Sequence, residues 1–507
     1  AWYPGSVFAP AWCSWYWGPD LTDLAVLNTT QIRGIAASAI GALTTTQMGA
    51  LTTTQVAALT NAQVAGLEST DIGALTTTQV GALTSTQAAA LTLPQMRGME
   101  TTDLAVLTTT QMRGLLPTQL SALTTTQIGA LTTTQLGALA TTQMQGLSSG
   151  QIAALTTTQL GALGSSQIRA LSTGQLAGLN TTAVAALTTT QVAGFSALQV
   201  AGLSTAQMAA METTDLATLT TTQLLGITAS QVAALSTTQV AALTTTQLGG
   251  MGPARIAAFE STDLAALTTT QFGALSATQL GALTTTQIRG LETTDLAVLT
   301  TTQIRGLSSA QLGGLSTTQV GALTTTQLGA LTTTQGAGFS STQVSALTTT
   351  QLGALSSTQV GGLTTAQLRG LDSTDIAALT TTQTAGLTAT QLAGLTTTQL
   401  GGLETTDLAT LTTTQIRGLG ATQLGALTTT QTGALTTTQV AALTSTQLGG
   451  VTTTQVAALT TTQLGAIGTT ALGGLAANRI AALTTTQVGA LTTTQVGGLT
   501  AAQVGGL

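Results

Sequence analysis

The chain has no lysine and no histidine, and a single cysteine in 507 residues; its 10 arginines and 16 acidic residues are all the charge it carries. That is 5% of the sequence, where a soluble domain usually has about a quarter. Each shortage excludes something. A net charge of −6 without clustered basic residues lacks the footprint of a nucleic-acid binder. One cysteine, Cys13, builds no disulfide framework within the chain. Mean hydropathy is +0.40, yet Thr and Gln interrupt every apolar run, so no transmembrane segment is expected. The few reactive groups form no catalytic constellation, so the reading is a protein that is not an enzyme and uses neither cofactor nor metal. A start at Ala1 instead of Met is read as removal of a signal peptide, with an extracellular or cell-surface location.

What is present is one phrase, L-T-T-T-Q-V-G-A, repeated almost to the last residue. From Leu27 to Leu507 every eighth residue is Leu, Ile, Met, Val or Phe, which frames sixty octads without an insertion or deletion. Counting from that residue, position two is usually Thr or Ser. Position five is nearly always Gln or Asp, position six is apolar, and position eight is mostly Ala or Gly. Such strict repetition points to one elongated array.

Thr-rich runs favour strands, but strands need period-two alternation. Positions one and six have opposite parity and would face opposite sides of one strand. The helical reading explains more. Thr at two and Gln at five form the S/T-x-x-E/Q capping box, and the apolar residues at one and six form the hydrophobic staple around it. Replacements at position two, such as Asn28, Asn180, Asp372, Gly164, Gly252 and Gly420, are residues that N-caps favour. Within the octads Pro occurs only as Pro94, Pro117 and Pro253, all placed where a first helical turn tolerates it. Each octad is therefore expected to be a mini-helix of roughly six or seven residues, too short to stand alone and stabilised by stacking.

A second period runs over sixteen residues. The acids form eight i, i+3 pairs at positions two and five, among them Glu100/Asp103, Glu292/Asp295 and Asp372/Asp375. Seven arginines, including Arg97, Arg289 and Arg369, share one sixteen-residue phase at position seven of the alternate octads. Two inequivalent octads thus alternate. The expected fold is an all-α solenoid of very short helices, with eight-residue repeats paired into sixteen-residue coils; the alternative is a β-solenoid with sixteen-residue rungs. Carboxylate pairs also suit Ca²⁺, but calcium needs six or more oxygens. Acids at helix N-termini are favoured by the helix dipole. The pairs are read as structural caps, each paired with the Arg three residues upstream: Arg97 with Glu100, Arg289 with Glu292, Arg369 with Asp372.

Residues 1–18 are different. They hold every Trp and Tyr of the chain, with Trp2, Tyr3, Phe8, Trp12, Cys13, Trp15, Tyr16 and Trp17 as candidates for self-association. Aromatics are favoured interface anchors, and repeat arrays need their ends covered. The expected organisation is this aromatic, Pro-rich cap or docking segment followed by a continuous solenoid over residues 19–507.

The octads resemble those of long repetitive secreted or surface proteins of bacteria, with the pattern L-T-x-x-Q-[VIL]-x-A over roughly residues 19–507. The resemblance implies an extracellular structural or adhesive role and brings no catalytic residues. Together these readings favour a structural subunit that assembles head to tail with copies of itself into a filament or sheath-like fibre, since a heterologous contact need not close. Thr-rich stalks also take covalent glycan. The alternatives are an adhesin stalk whose aromatic head binds a glycan or a surface, and an ice-binding β-solenoid.

Overall fold

The computed structural model describes residues 24–507. The docking segment, with Trp2, Tyr3, Phe8, Trp12, Cys13, Trp15, Tyr16 and Trp17, lies outside the described residues. The chain divides into two units, Ala1–Met251 and Gly252–Leu507, and the same local rule builds both.

Among the described residues there are short helices and no strands. Each octad forms one helix, for example Thr53–Ala58, Thr181–Ala185 and Thr173–Leu176. The capping box starts it. Thr52 is extended, its Oγ1 accepts from the Gln55 amide at 3.3 Å, and the Thr52 amide donates to Gln55 Oε1 at 2.8 Å. Leu59 then returns to extended backbone and ends the helix, because the same residue must lead into the next cap at Thr60. That requirement trims the helices to between four and six residues. Pro94, Pro117 and Pro253 sit in first turns, where no helical hydrogen bond is lost. The absence of strands removes the β-solenoid alternative, and with it the regular strand surface on which the ice-binding reading stood.

A helix of six residues is unstable by itself. Positions six and one supply what it lacks: Val56, Val64 and Val80 are fully buried, and Leu59 and Leu75 are 5% exposed. Burying each such side chain is worth about 1.5–3 kcal/mol, so two per octad outweigh the weak helix nucleus.

The solenoid is all-α, but its stacking corrects the expected sixteen-residue coil. Helices pack on the third helix along the chain. Thr29–Gly34 packs on Thr53–Ala58, Ser85–Ala90 on Thr109–Gly114, and Thr437–Ala441 on Thr461–Ala466. A coil therefore takes in at least three octads. The sixteen-residue phase is an alternation of two octad types and not a coil length. Three is odd, so every stacked pair joins one octad of each type.

Small residues set the approach. Position eight faces position three of the octad three earlier. A Cβ on Gly98 would lie 2.8 Å from the Ser69 carbonyl oxygen, and one on Gly114 2.7 Å from that of Ser85. Where position three is Thr, its methyl holds the helices apart and the facing residue is commonly Ala, as in Ala138 with Thr109 and Ala162 with Thr133. Gly202, Gly250, Gly314, Gly362, Gly394 and Gly498 depart from this tendency, each lying against a Thr side chain.

Candidate functional site

The chemistry of the described residues is concentrated in position five. Its glutamine has two tasks, and only the first is the cap. Gln87 Oε1 accepts from the Thr84 amide at 2.7 Å, while its Nε2 donates to the carbonyls of Val56 at 2.8 Å and Leu59 at 2.7 Å. Gln455 repeats the pattern on Leu424 and Leu427, and Gln63 on Ile32 and Ile35. The partners lie 31 and 28 residues earlier, at the end of one helix and the start of the next cap. These side chains are buried: Gln87 is 2% exposed and Gln455 1%. Two donors meet two carbonyls, of which the first already accepts a backbone amide, as Val56 does from Leu59 at 3.2 Å. The pairing spares the buried glutamine N–H₂ and the second carbonyl a desolvation cost of about 1–3 kcal/mol for each group. The result is a ladder of amide rungs between successive coils within each unit.

The arginines form a second tie. Arg97 Nε donates to the Ala122 carbonyl at 3.1 Å and Arg369 Nε to that of Gly394 at 2.9 Å; Arg33, Arg113, Arg305 and Arg417 do the same 25 residues ahead. A cation at the C-terminal carbonyls of a helix is favoured by the dipole. Arg97 and Arg369 are thus directed to backbone, and neither is brought to the acid three residues on; Arg289 is exposed.

The acidic pairs fall into two geometries. Asp372 Oδ1 accepts from the Thr374 and Asp375 amides at 2.8 Å, and Asp375 Oδ2 accepts from the Asp372 amide at 3.1 Å, a complete capping box. Asp71 and Asp263 keep the second of these bonds, to the amides of Glu68 and Glu260. Glu100 and Glu292 cap their helices with no side-chain bond to the backbone. Asp103 and Asp295 are buried. In Asp103, Asp215 and Asp407, each 2% exposed, Oδ2 has no hydrogen-bond partner. Burial pushes the carboxyls of all three above the usual aspartate range. For Asp215 and Asp407 the neighbouring charge of Glu212 or Glu404 adds to the rise. For Asp103 the Glu100 backbone amide pulls the other way and the Glu100 charge adds a smaller upward push. Burial also raises Asp71, Asp263, Asp295 and Asp375.

Two polar residues at position six have local explanations. Thr384 is fully buried and offsets a small part of the rise at Asp407, although neither Thr384 Oγ1 nor Asp407 Oδ2 completes a hydrogen bond. Thr432 donates to the Thr428 carbonyl at 3.0 Å. It also borders an apolar cavity of about 20 Å³; a similar cavity lies beside Gly336 and Phe339. Among the described residues no three His, Cys, Asp or Glu side chains gather to hold a metal, and no helix is long and apolar enough to cross a membrane.

The amide donor was the signal that the cap reading overlooked. A capping box accepts Glu as readily as Gln at this position, yet all six glutamates lie at position two and none at position five. Only a residue with an N–H₂ group does both tasks.

A family model described as the ALTTAQ repeat matches residues 20–53, 64–99, 96–133, 133–165, 161–197, 208–245, 256–292, 288–325, 400–437, 456–493 and 478–507. No curated protein matches the chain. Among solved structures, the chain is similar to the leucine-rich repeat-containing protein LegL7 from Legionella pneumophila. That match has 12% identity over 48% of this chain and 79% of that one, with a TM-score of 0.15, and carries no argument.

Proposed function

Because the chain belongs to the ALTTAQ repeat family, and its interior chemistry consists of rungs that tie coil to coil, we propose that it is an extracellular structural protein. In this reading it is one subunit of a filament or sheath-like fibre that copies of the chain build head to tail. The observation that carries the reading is the amide ladder, as in Gln87 to Val56 and Leu59 and Gln455 to Leu424 and Leu427. It places cohesive bonds where an enzyme would place reactive ones. Thr side chains at positions two to four, such as Thr52, Thr53 and Thr54, are exposed. They give the surface a neutral hydroxyl character and offer sites for covalent glycan. The aromatic head is the proposed contact with the next copy.

The test is negative-stain electron microscopy of the full chain and of a chain lacking residues 1–19. Filaments from the first and only separate particles from the second are expected. Separate particles from both would replace the filament with the adhesin-stalk reading, and glycan-array binding by the intact head would then be measured.

A further inference from the structure

The acidic octads interrupt the amide ladder at defined places. At Asp103 the carbonyls that a glutamine would reach, 31 and 28 residues earlier, belong to Ile72 and Leu75. At Asp215 they belong to Val184 and Leu187, and at Asp407 to Ile376 and Leu379. At each site an oxygen acceptor therefore replaces the amide donor of position five, and only at Asp407 does a side-chain donor, the Thr384 hydroxyl, act on the carboxyl. In each of these octads the aspartate is 2% exposed and its Oδ2 is buried without a hydrogen-bond partner, at the position where other octads place the donating glutamine.

We propose that Asp103, Asp215 and Asp407 are proton-operated rungs. Each binds a proton from solvent and, as a neutral carboxylic acid, donates from Oδ2 to one of the two carbonyls that the repeat register assigns to it; when the proton leaves, that rung opens.

The charged surroundings favour the neutral form in all three. Asp103 shares its own octad with Glu100. The helices packed on it, Thr77–Gly81 and Thr125–Gly129, carry no charge, and Ser69–Gly73 contributes Asp71. Arg97 is committed to the Ala122 carbonyl. Around Asp215, the helices Thr189–Val192, Thr237–Ala241 and Thr181–Ala185 are uncharged, leaving Glu212 as the one charged neighbour on these elements. Around Asp407, Thr381–Ala385 supplies the Thr384 hydroxyl, Thr429–Gly433 no charge, Ser373–Ala377 supplies Asp375, and Glu404 sits at the cap. Arg417 is committed to the Ala442 carbonyl. Every facing ionisable group is thus an acid, and none stabilises a carboxylate. A calcium ion needs six or more oxygens, whereas the register offers one carboxylate and two carbonyls at each site.

The sign follows from burial. The folded pKa lies above the ordinary 3.8, so the rung contributes its stability below that value and loses it as pH rises through the raised folded pKa. Acid tightens these octads, and raising the pH through the folded pKa loosens them while the glutamine rungs are unchanged.

The experiment compares the full chain with the triple variant D103Q/D215Q/D407Q, which restores the amide donors. Thermal unfolding is followed by circular dichroism from about pH 4 to about pH 8, a range that spans aspartate and its raised values. The expected result is a higher Tm for the variant at neutral pH, by a few degrees, with the gap closing on acidification. The wild-type-minus-variant infrared spectrum should show the C=O stretch of a neutral carboxylic acid persisting above the ordinary aspartate range. A gap that does not change with pH, together with no such band, overturns the proposal. So does a neutral-pH Tm rise on adding calcium chloride that only the wild type shows, which would make these oxygens a cation site. If the triple variant does not fold, the same infrared difference with D215Q alone decides.

Discussion

The helices Thr53–Ala58 and Thr101–Val106 are the same length, start from extended residues at Thr52 and Glu100, and bury Val56 and Leu104 completely. They differ at the cap, where Thr52 Oγ1 accepts from the Gln55 amide and the Glu100 side chain makes no bond to the backbone, and at position five. Gln55 reaches the carbonyls of Leu24 at 2.7 Å and Leu27 at 2.9 Å, whereas Asp103 Oδ2 reaches nothing. Helix formation is therefore a local matter that both regions solve, with or without the side-chain cap, and the tie between coils is a separate matter that the glutamine solves.

The strongest way to break this contrast is to give a glutamine octad the wrong head group. Gln87→Glu keeps the cap acceptor but removes both donors and buries a charge beside two carbonyls. It should cost about 3 kcal/mol or more of local stability. Native-state hydrogen exchange should show faster opening of the amides around residues 84–91, with little change at octads far along the chain. A uniform loss across the whole chain would mean that the rungs do not act coil by coil.

The next effect separates two glycines of equal helix propensity. Gly226 presses on the backbone of Ala197, so a Cβ there would run into that carbonyl, whereas nothing lies within 4 Å of a Cβ on Gly161. Gly226→Ala should destabilise by about 2 kcal/mol through overpacking. Gly161→Ala should stabilise by up to about 1 kcal/mol, the propensity difference between the two residues. Thermal unfolding of the two variants reads both, and the same sign in both would show that position eight does not set the approach of stacked helices.

The smallest effect belongs to the cap itself. Thr52→Ala removes the acceptor for the Gln55 amide but leaves the Gln55 rung in place, and should cost about 1 kcal/mol. Gly164 already lacks that acceptor and keeps only the bond from its own amide to Gln167 Oε1 at 2.8 Å. Gly164→Ser should therefore recover a few tenths of a kcal/mol. Hydrogen exchange at residues 55 and 167 tests the pair.

The helix and its caps were legible because Thr52, Gln55, Val56 and Leu59 lie within eight residues, and their roles follow from residue type. The double use of glutamine was legible in principle, through the absence of glutamate at position five, but the cap alone explained the residue and concealed its second bond. The pairing of Arg97 with Glu100 looked natural from their spacing of three. The guanidinium instead finds the Ala122 carbonyl, which sequence distance does not bring near. The stacking partner also left a trace. Gly98 with Ser69 and Ala138 with Thr109 are complementary at a separation of 29, and that pattern argues for three octads where the acid and arginine phase alone argued for two.

Contacts within one octad depend on the identities of neighbouring residues and on backbone rules that hold for any chain, so the all-α repeat and its punctuation are written in the residues themselves. Which octad meets which depends on the angle through which the chain turns at each extended position one. That angle accumulates small dihedral differences that no single residue type sets, and packing of whole helices chooses among the sums. The coil, the carbonyl partners of each rung and the burial of Asp103, Asp215 and Asp407 all follow from that choice.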